Sequence, residues 1–408
     1  MLSKYQIRFG KRLFNTLLCC LGLSATGSVL AEEQLTKQKL KVHGFISQGV
    51  IDVNGSDFVN DDGKPSFELT EVGINASYKI SDNFRLAGQL AYLDGGNRYS
   101  RNARIDYLLL DWSILSDAQW KVDLYLGRFK NYHWLYSSTR DVPFTRPTIV
   151  LPQAIYFDGF RDIAVGGDGG SLNVSRSHDD YGDFDFNFSI GVSKISDRQK
   201  DIILSEFATG DMEHDEDYQT SLYWRPSFSQ WRFGIALLDS KFTYDRGVSD
   251  AFYDASIILQ RYFVNATYEG EFWEFSSELL QERFVMDGFY FPGFERDTFG
   301  QGGFVQARYK LTDDLKLLAR AEKYFSNKDD RNGNLLPQNP IFPIPDYFGY
   351  QHDFTVGFSY DLRDNLRLQV EHHWVQGTAR LTPVVVPNLR TNNQEYWQMT
   401  AAQLMYWF

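Results

Sequence analysis

The sequence predicts an all-β fold: a transmembrane, antiparallel, up-and-down β-barrel of 16 strands. Three observations predict it. The chain alternates apolar and polar residues with a period of two. It has no apolar run of 18 or more residues. Its strand-like runs are joined by short turns and long loops in strict alternation. Successive side chains of a strand point to opposite faces, so the alternation assigns one face to an apolar medium and the other to water. Phe184, Phe186, Phe188, Ile190 and Val192 alternate with Asp185, Asn187, Ser189 and Gly191. Trp231, Phe233, Ile235 and Leu237 repeat the pattern, as do Phe354, Val356, Phe358 and Tyr360, and then Leu366, Leu368, Val370, His372 and Trp374. In the last run, Thr400, Ala402, Leu404 and Tyr406 share the outward face.

Residues 1–31 read as a secretory leader, cleaved after Ala31. Lys4, Arg8, Lys11 and Arg12 precede a mainly apolar stretch from Leu13 to Leu23, and Val29 and Ala31 supply the small side chains a signal peptidase needs. The stretch is shorter than the roughly 20 residues of a membrane-spanning helix. The residues before Cys19 and Cys20 do not fit a lipidation site. Removing the leader takes four positive charges and no negative ones, so the formal charge of −12 becomes −16 for residues 32–408. It also takes both cysteines, leaving no disulfide, thiolate nucleophile or cysteine metal site. So acidic a chain does not suit a nucleic-acid partner.

Short turns fall at 81–83, 115–119, 177–183, 226–230, 269–271, 312–314 and 363–364. Longer polar segments fall near 54–65, 93–102, 129–162, 193–216, 240–253, 285–297, 325–347 and 376–394. Seven turns and eight loops join 16 strands. The 377 residues left after cleavage then allow roughly 24 per strand and connection, which suits tilted strands of about ten residues. Closure follows from the solvent. In hydrocarbon every backbone N–H and C=O needs a partner, and an open sheet edge has none. The negative mean hydropathy, −0.38, fits a sheet with half its side chains in water, and 16% aromatic residues suit girdles at two membrane interfaces. No composition shift marks a second domain, so 32–408 is read as one barrel.

The chain ends in an aromatic pair, Tyr406 and Phe408, that resembles the signal by which Gram-negative outer-membrane barrels engage the barrel-assembly machinery. The runs VHGFISQG (42–49), GRFKNYHWLYSSTRDVPFTRP (127–147) and LPQAIYFDGFRD (151–162) resemble the trimeric outer-membrane porins, in particular the porin-like proteins akin to phosphate- and dicarboxylate-selective types. Gly127, Arg128, Lys130, Leu135, Tyr136, Arg140 and Asp141 carry that likeness. It implies a homotrimer and a third loop, 129–162, folded into the lumen as a constriction. It implies passive diffusion of small hydrophilic solutes or ions without a cofactor.

Arg128, Lys130, Arg140, Arg146 and Arg161 in that loop outnumber Asp141, Asp158 and Asp162, so an inward fold implies a local positive bias and a preference for anions or zwitterions. The bland alternative is that these charges pair with one another. Strand phase turns Arg85, Lys121, Arg232, Arg261, Arg308, Arg320 and Arg367 toward the lumen, with Glu71, Asp123, Asp185, Glu274, Glu278, Glu322 and Glu371. A lipid-facing Arg or Lys at the midplane costs about 2–4 kcal/mol, which is the warrant for turning them in. Arg128 shares parity with Val122, Leu124 and Leu126, so a bulge or strand end is needed to bring it inside.

Signals of catalysis are few. The adjacent His372 and His373 face opposite sides of a strand and cannot share a metal. His214–Asp217 and Lys328–Asn334 read as solvated acidic loops without a calcium-loop pattern. No nucleophile-elbow motif occurs. The expectation is a porin that is not an enzyme. The alternatives are an outer-membrane hydrolase and a non-conducting structural or adhesive barrel.

Overall fold

The computed structural model describes residues 39–60, 63–99, 101–161, 166–204, 206–340, 343–381 and 394–408. The leader expected at 1–31 lies outside the described residues, as does Asp162. Among the described residues the strands are β1 Leu40–Asn54, β2 Thr70–Lys79, β3 Phe84–Asp94, β4 Asn102–Ser116, β5 Trp120–Lys130, β6 Gly166–His178, β7 Gly182–Val192 and β8 Asp211–Arg225. They continue as β9 Trp231–Asp245, β10 Ala255–Glu269, β11 Trp273–Gly288, β12 Glu295–Lys310, β13 Leu315–Phe325, β14 Tyr350–Arg363, β15 Leu366–Gly377 and β16 Tyr396–Trp407. Each strand pairs with its chain neighbours, and β1 pairs antiparallel with β16 to close the ring. The 16-stranded barrel is therefore as expected.

The seam is closed by main chain and by one close approach. Phe408 and Gly44 exchange N–H···O bonds of 3.0 Å in both directions. The Phe408 ring lies where a Cβ on Gly44 would come within 2.5 Å of it, so a larger residue there would have to push the ring aside.

Outward faces are apolar. Ile190, Ile235, Leu237, Val264, Leu279, Val305 and Leu404 are all exposed, an arrangement stable against lipid and not against water. Near the short-turn ends the outer surface carries a run of aromatic contacts. It passes from Phe184 to Trp224, Phe233, Trp231, Tyr268, Phe275, Trp273 and Tyr309, with centroid spacings of 4.7–6.3 Å. This is one aromatic girdle.

One expectation fails locally. His214–Asp217 is not a solvated loop, because β8 begins at Asp211. His214 and Asp217 are buried, and His214 stacks on Phe242 at 4.4 Å. A bulge between His214 and Glu216 shifts the register, so that His214 and Asp217 are both buried while Asp215 and Glu216 stay exposed. Polarity alone suggested a loop, but an inward strand face of a barrel is polar as well.

Candidate functional site: the loop inside the barrel

The connection after β5 folds into the lumen. Its first residues reach from β5 to β7 and β8. Asn131 bonds to Gln219 of β8, and the His133 ring lies between Ser189 and Ser221 at 2.7 and 3.2 Å. The chain then crosses to the far wall. Trp134 stacks on Phe263 of β10 at 4.7 Å, and the Leu135 N–H donates to Glu278 of β11 at 3.2 Å. Phe144 stacks on Trp407 of β16 at 4.8 Å. The Ile149 and Val150 N–H groups each donate 2.8 Å bonds to Glu371 of β15. Ala154 N–H donates to Glu322 of β13 at 3.0 Å, and the Tyr156 hydroxyl donates to Glu278 at 2.6 Å. Arg320 bonds the Thr148 hydroxyl at 2.8 Å, and Arg367 the Phe144 carbonyl at 2.9 Å. Wall carboxylates accept from loop N–H groups that no secondary structure satisfies, which lets an irregular segment sit inside a barrel.

The loop's charges form buried pairs. Asp141 accepts from Arg161, from Lys130 at 3.0 Å and from Arg104 at 2.9 Å. Arg146 grips Glu71 of β2 at 2.5 and 3.0 Å, and Arg161 approaches the same carboxylate at 3.5 Å. Arg140 and Arg98 share Asp158 at 2.8 and 2.7 Å. Burial alone would raise the Asp141 carboxyl, but Arg161, Lys130 and Arg104 hold it well below the usual carboxylate range. Asp158 is likewise pushed up by burial and pulled down further by Arg98, Arg140 and Arg161, to about 2. Burial lowers His133 to about 3, so it is neutral.

These positions separate the expected constriction residues. Lys130, Arg140, Asp141, Arg146 and Arg161 come together in one network, but as buried partners of carboxylates rather than as groups lining water. Each of these cations has a carboxylate partner, but Arg98 and Arg104 join them, so six cations share the four carboxylates Glu71, Asp106, Asp141 and Asp158. Arg128 does not join them. β5 has no bulge between Val122 and Arg128, so Arg128 keeps the outward parity of Leu126 and pairs with Asp168 across the strands. Of the expected lumen-facing charges, Glu371, Arg320, Glu322 and Arg367 meet the loop or lie beneath it. Arg85 pairs with Asp111 at 2.5 Å, and Arg232 lies 3.9 Å over the Tyr223 ring. Sequence reasoning missed Asp106, the bulged residue of β4 that pairs with Lys130 at 2.6 Å, and Arg98, Tyr99 and Arg380 from other loops. Nothing in local spacing marks a partner reached across a bore.

The two sides of the bore differ. On β11–β16, β1 and β2 the inward residues at loop height are buried: Glu278, Gln306, Arg320, Thr355, Glu371, Gln403, Ser47 and Glu71. On β3–β7 the inward side chains of Tyr107, Tyr125, Asn173 and Asn187 are only half-buried. Gly127, Gly169 and Gly191 stand in one cross-strand row there, the first two exposed. Gly127 also adopts φ +119°, and a Cβ there would meet the Leu108 carbonyl at 2.6 Å.

A closed 16-stranded barrel with a lipid-facing apolar belt and its third long loop folded inside defines an outer-membrane porin-like fold. Solved structures share it. An anion-selective porin from Comamonas acidovorans is 12% identical, with 90% of this chain and 99% of that chain covered and a TM-score of 0.54. A Salmonella typhi OmpF complex with daunomycin is 13% identical, with 90% and 97% covered and a TM-score of 0.55. In-vitro folded OmpT, an outer membrane protein of Vibrio cholerae in its trimer form, is 12% identical, with 90% and 99% covered and a TM-score of 0.54. No protein-family model and no curated protein matches the sequence.

Proposed function

We propose that the protein is an outer-membrane porin that lets small hydrophilic solutes diffuse passively down their gradients. The observation that carries this reading is the asymmetric seat of the inner loop. Beyond its root, where Asp141 meets Arg104 and Lys130 and His133 meets Ser189, the loop is bonded to β11–β16, β1 and β2, and β3–β7 keeps half-buried polar side chains and exposed glycines. A passage along that wall needs no moving part and no cofactor. Its filter is size first, because the loop's Lys130, Arg140, Arg146 and Arg161 are matched by Asp106, Asp158, Glu71 and Asp141. Net selectivity for anions is then weak, although fixed pairs still set a transverse field. The loop at 129–162 is the constriction. The functional unit is a homotrimer, a reading supported by the trimer form of one structural neighbour.

A hydrolase would need a nucleophile open to substrate. His133 does touch the Ser189 and Ser221 hydroxyls, but all three residues are buried, 1–2% exposed, and among the described residues the two ring nitrogens meet hydroxyls rather than a carboxylate. That arrangement supports a structural role. The test is reconstitution in planar bilayers, with folding checked by the heat-dependent shift in gel mobility. Stepwise conductance is expected. Folded protein that never conducts would refute the porin and favour a structural barrel.

A further inference from the structure

The open wall carries a chemical feature that diffusion alone does not require. Tyr107 of β4 and Tyr125 of β5 share the inward parity of Gln89, Asp111 and Ser171. Tyr132, from the first turn of the loop, leans toward them, its ring 6.1 Å from that of Tyr125 and tilted by 55°. Tyr132 is 39% exposed, and the other two are half-buried. Elsewhere in the bore phenols are tied down: Tyr156 to Glu278, Tyr324 to Glu282 and Tyr223 to the His133 carbonyl. Burial raises the Tyr132 phenol, and the charged pairs of the wall act on it through Arg85, Asp111 and Asp106. Those pairs balance. Arg85 stands against Asp111 and Lys121 against Asp123, two cations and two carboxylates.

We propose that Tyr107, Tyr125 and Tyr132 form a binding subsite for a neutral, hydroxylated ring, a saccharide, held as it passes along the β3–β5 wall. An aromatic side chain offers an apolar face and, in tyrosine, a hydroxyl at its rim. A sugar ring presents the complement: C–H faces and a belt of hydroxyls. The flanking Asp111 and Asp123 can accept from sugar hydroxyls, while Arg85 and Lys121 can donate. Matched charge gives a free anion or cation no advantage over a neutral solute. Few polar groups placed around aromatic surface is the usual make-up of a small-molecule site.

This inference rests on the porin reading, and one experiment separates the two. Full-length protein is reconstituted in planar bilayers in 1 M KCl, and sucrose is added stepwise. Saturable blockage of the current is expected, with half-blockage shifted about tenfold higher in Tyr132→Ala and Tyr125→Ala, the loss of one aromatic contact. Tyr132→Phe, which keeps the ring, is expected to stay within about threefold of the original protein. Stable channels that sucrose does not block, or blockage unchanged in both alanine variants, would overturn the subsite and leave the porin standing. Blockage by sodium benzoate but not sucrose would overturn the saccharide class. No channels at all would overturn the porin reading itself. Where an alanine variant fails to fold, Tyr132→Leu, which keeps an apolar side chain but removes the ring, is expected to raise half-blockage by a similar factor, and an unchanged value would overturn the subsite.

Discussion

The wall formed by β11–β16, β1 and β2 and the wall formed by β3–β7 obey the same alternation, yet the inner loop covers the first more fully than the second. On the first, Glu71, Glu278, Glu322, Glu371 and Arg320 are 0–4% exposed, and each bonds to the loop's side chains or main chain. On the second, Arg85 and Lys121 have side chains 52% and 60% exposed and pair only with neighbours on their own wall. The difference teaches that a polar inward residue has two quite different jobs. A buried charge must be matched, because an orphaned one costs several kcal/mol. An exposed charge is solvated and contributes about 1 kcal/mol or less to stability.

The largest break in this contrast is Glu71→Ala. It leaves Arg146 buried without its carboxylate and takes a partner from Arg161. The loop is expected to lose about 3–5 kcal/mol of its hold on the wall. Hydrogen exchange at residues 140–161 should rise and channel current should become noisy, while the barrel keeps its gel shift. An unchanged exchange rate would mean that the two walls do not differ in this way.

Acid gives the next effect. Asp158 is held at about 2, below its unfolded value near 4, by Arg98 and Arg140 against the opposing pull of burial. A depressed carboxylate lends stability above the unfolded value and loses it as pH falls through the folded one. The loop should therefore stay locked at pH 5–7 and loosen between about pH 4 and 2, by about 2 kcal/mol from this group. Fluorescence of Trp134, which lies on the same loop, follows the transition. Asp158→Asn should flatten that part of the profile.

On the open wall, Arg85→Ser should cost about 1–2 kcal/mol, because Arg85 is exposed but its partner Asp111 is buried. It leaves Asp111 unmatched, so the reversal potential in a KCl gradient should move toward cation preference. Removing Arg140 or Arg146 should instead act through the loop's hold, since both are buried partners. The smallest effect belongs to Arg128→Ala. Its pair with Asp168 is exposed on the outer face, so conductance should not change and stability should move by no more than about 0.5 kcal/mol. A clear change in conductance would place Arg128 back at the passage.

Much of this was legible in the chain. Phe184–Val192, Trp231–Leu237 and Leu366–Trp374 declared their faces, and every short turn fell between the expected strands, because lipid outside and water inside penalise each misplaced residue separately. The third loop's residues were legible as a group through their family likeness. Their partners were not. Arg146 meets Glu71 across 75 positions, and Val150 meets Glu371 across 221. Arg128 illustrates the reverse: its parity alone showed that it needed a bulge, and the bulge sits on β4 at Asp106 instead.

Strand number, the inward or outward aim of side chains away from bulges, and the position of the long third loop along the chain were set by local pattern, because a period of two and a turn are properties of neighbours along the chain. Which of the loop's charges meet carboxylates, and which wall is left to water, was decided only by closure of the ring. Closure brings residues hundreds of positions apart within hydrogen-bond reach, and a buried charge is matched by distance in space, not in sequence.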